Sequence, residues 1–303
     1  MRFEPIRQEL FEAYFYGRTP FVRLFSTEIE WFFFETGKTT LLVVVLRCEI
    51  DKDFNAIVLG RDMKRKFRAI NVIVSKETRE QLLLDLEGCI DELVSRHVDG
   101  IFPQGDEEEA PFAIFGNHIS QEKRNHYLKL LTDDSVYFPA RVMMEELAHW
   151  FEDPDGVFIR AMQGNEFNSR LFELYLHAVF YELDFEMDRT HPQPDYLLKK
   201  AGQTIAFEAA TVAEMAVSNG RGVTFDEKEK TELLRHVEEE MPFKFARTLL
   251  KKVRHRPEPS KLPYWDLPHT KDNPFVVAVH DYSRTMSMSV SSTAMQSYLY
   301  GVD

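Results

Sequence analysis

Two apolar periodicities divide this chain. From Glu28 to Val74 the apolar residues come in short runs separated by turn signals. Glu28 to Thr36 reads EIEWFFFET. Gly37-Lys38 comes next, then Thr39 to Glu49 with the core Leu41-Leu42-Val43-Val44-Val45-Leu46. Asp51-Lys52-Asp53 breaks the pattern before Ala56 to Leu59 and Ala69 to Val74. Aromatic and β-branched runs bounded by Gly and Asp predict an antiparallel meander. From Thr78 to Val98 the period becomes helical, with a start at Ser75 to Thr78 and a stop at Gly100. Residues 5–16 predict a short helix ahead of the strands. Residues 120–131 and 139–152 predict two more helices, parted by Asp133-Asp134-Ser135. They are a connector, or they pack on the core of the C-terminal half. Asp153-Pro154-Asp155-Gly156 is a break, so the expected domains are 1–155 and 156–303.

The second half changes character. Leu171, Phe172, Leu174, Tyr175, Ala178, Val179 and Leu183 give a helix from about residue 166, capped by Asn168 or Ser169 and carrying Glu173 on its first turns. A short strand comes after it, then a hairpin: Tyr196 to Leu198, a turn over Lys199 to Gln203, and a return strand Thr204 to Ala210. Side chains alternate across a strand, so Glu208 lies opposite Ile205 and Phe207, the expected core face. Asp195 begins the neighbouring strand beside Glu208. Two adjacent carboxylates repel unless they are solvated or bridged by a hard cation such as Mg²⁺. After a polar stretch to Phe225, Asp226 caps a helix to Glu240. Pro242 opens another, Phe243 to Val253. Pro274 to Val279 is a buried strand, His280-Asp281 a turn, and residues 291–300 a last helix.

Composition adjusts this picture in three places. The apolar fraction of 44% argues against disorder. The net charge of −13 means that nucleic acid contact needs a local basic patch. The Pro242 helix supplies one, since Lys244, Arg247 and Lys251 share a face, with Lys252, Arg254 and Arg256 beyond. A helix C-terminus also collects cations through its dipole, and composition alone does not separate the two. Cys48 and Cys89 sit in apolar contexts and suit free thiols in a reducing cytoplasm. No signal-peptide core begins the chain, and Leu41 to Leu46 is too short to span a bilayer, so no membrane partner is expected. Homo-oligomerisation stays open.

Two motifs are decoys. Gly37-Lys38-Thr39-Thr40 lacks the first glycine of a phosphate-binding loop and is followed by a β-run, so it reads as a hairpin turn. Glu145-Glu146-Leu147-Ala148-His149 has one Glu-x-x-His without a second, and reads as a solvated helix face.

Pro194-Asp195, then Glu208-Ala209-Ala210 after a hairpin, with Glu173 on the preceding helix, resembles the PD-(D/E)xK nuclease superfamily over about residues 165–300. The resemblance implies a C-terminal restriction-endonuclease-like mixed sheet flanked by helices, which together with the N-terminal antiparallel sheet and helices read above makes the expected chain α+β. It implies a nuclease dependent on Mg²⁺ or Mn²⁺ that hydrolyses phosphodiester bonds of DNA or RNA. Asp195, Glu208 and the Ala209 carbonyl would hold the ion. Glu173 would be a further ligand or orienting group. The family's lysine position holds Ala210, so Lys251 or Lys199 is the candidate substitute. Lys244, Arg247, Lys251 and Lys252 would contact nucleic acid. The alternative is an inactive nuclease-fold module that binds nucleic acid or a protein. Gln296 and Tyr300 have the spacing of a QxxxY motif found in some members.

Overall fold

A computed structural model of the chain describes residues 3–17, 20–107, 112–153, 156–212, 231, 234–283, 287 and 293–301. The chain is α+β and forms two compact units, Met1–His118 with His126–Phe151, and Ile119–Asn125 with Glu152–Asp303.

The first unit is built on a five-stranded antiparallel sheet in sequence order: β1 (Glu4–Ile6), β2 (Ser26–Thr36), β3 (Thr39–Cys48), β4 (Phe54–Arg61) and β5 (Phe67–Lys76). Gly37, at φ 58°, closes the β2–β3 hairpin, where Thr36 pairs Thr39. The Gly-Lys-Thr-Thr stretch is therefore a hairpin turn. The continuous apolar run in β3 exists because both sheet faces are covered. Leu41, Val43 and Val45 pack with Leu82, Leu86 and Ile90 of α2 (Arg79–Arg96). Leu42, Val44 and Leu46 pack with Phe11 of α1 (Gln8–Tyr14). Thr78 caps α2 through the Gln81 N–H at 3.3 Å.

Three expectations need correction here. The region 5–16 is not one helix, because residues 4–6 pair with β2 at the sheet edge, where a proline is tolerated, and α1 starts only at Gln8. Helices α3 (His126–Asp133) and α4 (Phe138–Trp150) belong to this first unit. The Glu146 face of α4 is buried, not solvated: both Glu146 oxygens take a fork from Arg61 at 2.6 and 2.7 Å.

The second unit has a mixed sheet ordered β6 (Glu186–Asp188), β7 (Tyr196–Lys200), β8 (Gln203–Val212) and β9 (Phe275–Asp281). The β8–β9 pair is parallel and the others are antiparallel. Its helices among the described residues are α5 (Phe158–Gln163), α6 (Phe167–Glu182), α7 (Met241–Arg254) and α8 (Ala294–Tyr300). Phe172, Leu176 and Phe180 of α6 cover Tyr196, Leu198 and Ala209 on one face. Met241 and Phe245 of α7, with Ala294 of α8, cover Val212 on the other.

Strand β8 is thus enclosed on both sides. The expected core face packs on α6 through Phe207 and Ala209, and the opposite face, with Ala206, Glu208 and Ala210, is buried as well. The β7–β8 turn is only Ala201-Gly202, both at positive φ, the two-residue geometry that matches strand twist. Asn168 and Ser169 lie inside the first turn of α6, which begins at Phe167 without a side-chain cap. His280 and Asp281 continue β9, where Asp281 pairs with Val212, instead of forming a turn. The polar stretch 213–225, Asp226 and the first part of its helix, with Pro154 and Asp155, lie outside the described residues. The end of that helix, His236–Glu240, is a π-helical turn leading into α7. No helix among the described residues is long and apolar enough to cross a membrane.

Candidate active site

The site begins with a mismatch of strand lengths. Strand β7 pairs with β8 only from Tyr196↔Phe207 to Lys200↔Gln203. Past Phe207, the only strand partner of β8 among the described residues is β9. Asp195, one residue before β7, continues the contact on the β7 side. Its Oδ2 accepts the Ala209 N–H at 2.7 Å, and its own N–H donates to Glu208 Oε2 at 3.3 Å. These crossed bonds hold two carboxylates side by side. Within a strand the N–H and C=O of one residue point to the same side, so the Ala209 carbonyl faces the same edge.

Helices α6 and α7 flank that edge and leave a cleft of about 710 Å³. Glu173, Asp195 and Ala209 line it. The opposite wall is the basic side of α7, with Lys244, Arg247, Lys251 and Lys252. Glu208 lies behind this surface, 3% exposed. Its Oε1 accepts Lys252 Nζ at 2.5 Å and the Tyr264 hydroxyl at 3.0 Å. The fold therefore gathers the residues that the sequence nominated. The lysine that reaches the carboxylates is Lys252, one position past Lys251. Met241 and Phe245 are the buried residues of α7, and continuing their spacing by seven residues from Phe245 leads to 252. That stripe was the available signal. Lys251 points along the cleft wall, about 100° around the helix. Lys199 pairs with Asp188 at 3.5 Å and does not line the cleft. Gln296 and Tyr300 are exposed on α8 and are not among the cleft residues.

Glu173 is buried and held by arginines. Arg170 donates to its Oε1 at 2.8 Å, and Arg189 lies 3.8 Å from its Oε2. Its main-chain carbonyl accepts the Tyr196 hydroxyl at 2.6 Å, which fixes this turn of α6 over β7. Ser169 and Thr211 bond at 2.7 Å and tie α6 to the end of β8. Sequence reasoning missed Arg170, Arg189 and Tyr264. Arg170 was legible as the i, i+3 partner of Glu173 on α6, whereas Arg189 and Tyr264 reach the glutamates from 16 and 56 residues away.

The electrostatics arise from crowding. Burial raises the pKa of Glu208, the Asp195 charge raises it further, and Lys252 offsets part of this. Burial likewise raises Glu173, with Asp195 adding and Arg170 and Arg189 opposing. Burial and the Glu208 charge push the Tyr264 hydroxyl up, so it remains a hydrogen-bond donor. Both glutamates thus favour a proton or a nearby cation more than free carboxylates do.

A hard divalent cation fits this chemistry. Among the described residues no three His, Cys, Asp or Glu side chains converge as a ready ligand set. Mg²⁺, however, usually uses one or two carboxylates and keeps several waters. Asp195, Glu208 and the Ala209 carbonyl offer two carboxylates and one neutral oxygen. The Glu173 Oε2 atom is buried without a hydrogen-bond partner among the described residues, with Arg189 3.8 Å away. No protein-family model, no curated protein and no solved structure matches this chain.

Proposed function

We propose that this chain is a divalent-metal-dependent nuclease that hydrolyses phosphodiester bonds of DNA or RNA in a reducing cytoplasm. One observation carries the reading: Asp195, crowded against the buried Glu208 and its lysine, opens onto a cleft whose wall is the basic side of α7. Asp195, Glu208 and the Ala209 carbonyl would hold Mg²⁺ or Mn²⁺. When bound, the ion would supply an activated water and neutralise charge on the phosphate.

The chain's own residues divide the remaining work. Lys252 takes the place of the lysine absent at Ala210. From its contact with Glu208 it orients the attacking water and meets developing negative charge. Lys244, Arg247 and Lys251 hold flanking phosphates. Arg170 and Arg189 keep Glu173 from adding full negative charge beside Asp195.

A second reading, a nuclease-fold module that binds without cleaving, is favoured by one feature. Each buried glutamate already has a protein cation beside it, Lys252 at Glu208 and Arg170 at Glu173.

The test is cleavage of plasmid, single-stranded DNA and RNA with Mg²⁺ or Mn²⁺, comparing the native chain with Asp195→Ala and Glu208→Ala. Metal-dependent cleavage that both substitutions abolish supports the nuclease. Nucleic acid binding without cleavage supports the inactive module.

A further inference from the structure

Beyond the α7 wall, a tyrosine from outside the cleft reaches Glu208. Tyr264 lies in the irregular segment between α7 and β9 and is 3% exposed. Its ring stacks on Phe275 at 5.5 Å and 16°, and on His255 at 5.3 Å and 29°. Its main-chain carbonyl accepts a hydrogen bond from Thr270 Oγ1, and Thr270 has no exposed surface. The hydroxyl therefore has one fixed direction, and that direction ends on Glu208 Oε1 at 3.0 Å. The same segment is fastened beside Asp195 as well. His269 Nε2 bonds the Gln193 carbonyl at 2.7 Å, and its ring stacks on His191 at 3.9 Å and 5°.

The two oxygens of Glu208 are consequently unequal. Oε1 takes two side-chain donors, Lys252 and Tyr264. Among the described residues Oε2 takes only the Asp195 N–H, at 3.3 Å. Two donors on one oxygen fix the plane of the carboxylate and leave Oε2 turned toward Asp195. A buried tyrosine needs some partner for its hydroxyl. That general need does not require the partner to be a carboxylate beside a second carboxylate.

Resting on the nuclease reading above, we infer that Tyr264 is a positioning residue for the metal site: it orients the Glu208 carboxylate so that Oε2 is presented beside Asp195, and thereby sets affinity for the divalent ion. Outer partners of ligating carboxylates typically change metal affinity or activity by about 10- to 100-fold when removed.

The experiment titrates Mn²⁺ into the full chain by calorimetry, with thermal unfolding recorded on the same samples. Tyr264→Phe keeps the ring stack and removes only the hydroxyl. The expected result is Mn²⁺ binding weakened by about 10- to 100-fold with an unfolding midpoint close to that of the native chain. Thr270→Val, which loosens Tyr264 without touching Glu208, is expected to weaken Mn²⁺ binding in the same direction by a smaller factor. It carries the test should Tyr264→Phe fail to fold. Native-like Mn²⁺ affinity in a folded Tyr264→Phe chain, or in folded Thr270→Val if Tyr264→Phe is unfolded, overturns this inference and leaves the nuclease reading standing. Absence of Mn²⁺ binding by the native chain overturns both.

Discussion

Each unit buries a glutamate against a cation, and the two arrangements differ in what surrounds them. In the first unit Glu146 takes a two-pronged fork from Arg61 that satisfies both oxygens, and its neighbour Glu145 raises its pKa only as the smallest contribution. Burial raises the pKa of Glu146 and Arg61 opposes it. In the second unit Glu208 shares one oxygen between Lys252 and Tyr264 and sits against Asp195, which pushes its pKa up in addition to burial. The first pair is closed and pins α4 to the end of β4. The second borders a cleft and carries more negative charge than its lysine cancels. A buried ion pair alone is weak evidence of anything beyond packing. Like charges held together at a strand edge require a reason, and an exchangeable cation is one.

The largest expected effect tests which lysine matters. Lys252→Met should lower metal-dependent cleavage by about 10²- to 10⁴-fold, the usual contribution of a water-orienting or proton-transferring group. Lys251→Met should leave single-turnover cleavage at saturating substrate within several-fold of the native rate. If the order is reversed, the contact at Glu208 is structural, like that at Glu146.

Stability separates the two pairs next. Glu146→Leu leaves the half-buried Arg61 without its carboxylate, which costs up to about 3–5 kcal/mol in comparable buried cases. Arg61→Met/Glu146→Leu together should recover most of that loss in urea unfolding. Glu208→Gln should act in the opposite sense, since its folded carboxyl is raised and its ionised form is disfavoured in place. At pH 8 a gain on the order of 1 kcal/mol is expected. A loss as large as that of Glu146→Leu would make the two glutamates equivalent and remove the electrostatic case for the cleft.

Acidification should also divide the units, and hydrogen exchange can read each one within the whole chain. Burial and nearby Arg61, Arg65 and Lys66 lower His149 from 6.5 to about 4. A histidine with a depressed folded pKa contributes its full share of stability above 6.5 and loses it as pH falls toward 4. The loss is about 3 kcal/mol at most. Glu146 and Asp62 in the same unit are raised and act in the reverse sense, so the measured quantity is the native chain minus His149→Gln. Glu173 is raised from 4.5, so its contribution in the second unit is present below 4.5 and is lost as pH rises toward its folded value. The native chain minus Glu173→Gln should therefore show stability in the second unit increasing as pH falls. Difference curves with the same sign in both units would overturn the contrast.

The contrast also explains what the sequence could reveal. Periodicity found β2 to β5, α2, α6 and the β7–β8 hairpin, because each depends on residues close together in the chain. The Asp195–Glu208 pairing was legible for the same reason: a hairpin brings them together through a turn of two residues. Glu146 was misread as solvated because its partner Arg61 is 85 residues away and no local pattern marks it. Tyr264, 56 residues from Glu208, was hidden for the same reason. Lys252 was nearly legible. Extending the buried stripe of α7 from Met241 and Phe245 would have preferred it to Lys251.

The smallest effect bears on the outer wall of the cleft. Lys244, Arg247 and Lys251 contribute charge there without contacting Glu208, so each should act on phosphate affinity alone. A phosphate contact contributes about 0.9 to the slope of log affinity against log salt for duplex DNA and about 0.7 for single strands. Arg247→Gln should therefore reduce the slope by about that amount and weaken all sequences alike. Which of the two values is found also indicates which form of nucleic acid lies in the cleft. Arg96, exposed at the end of α2 and paired with Glu92, provides the counterpart in the first unit. Arg96→Gln should leave the slope unchanged. An equal loss at Arg96 would mean that binding tracks scattered surface charge, and the basic side of α7 would then be the cation-rich end of a helix shaped by its dipole.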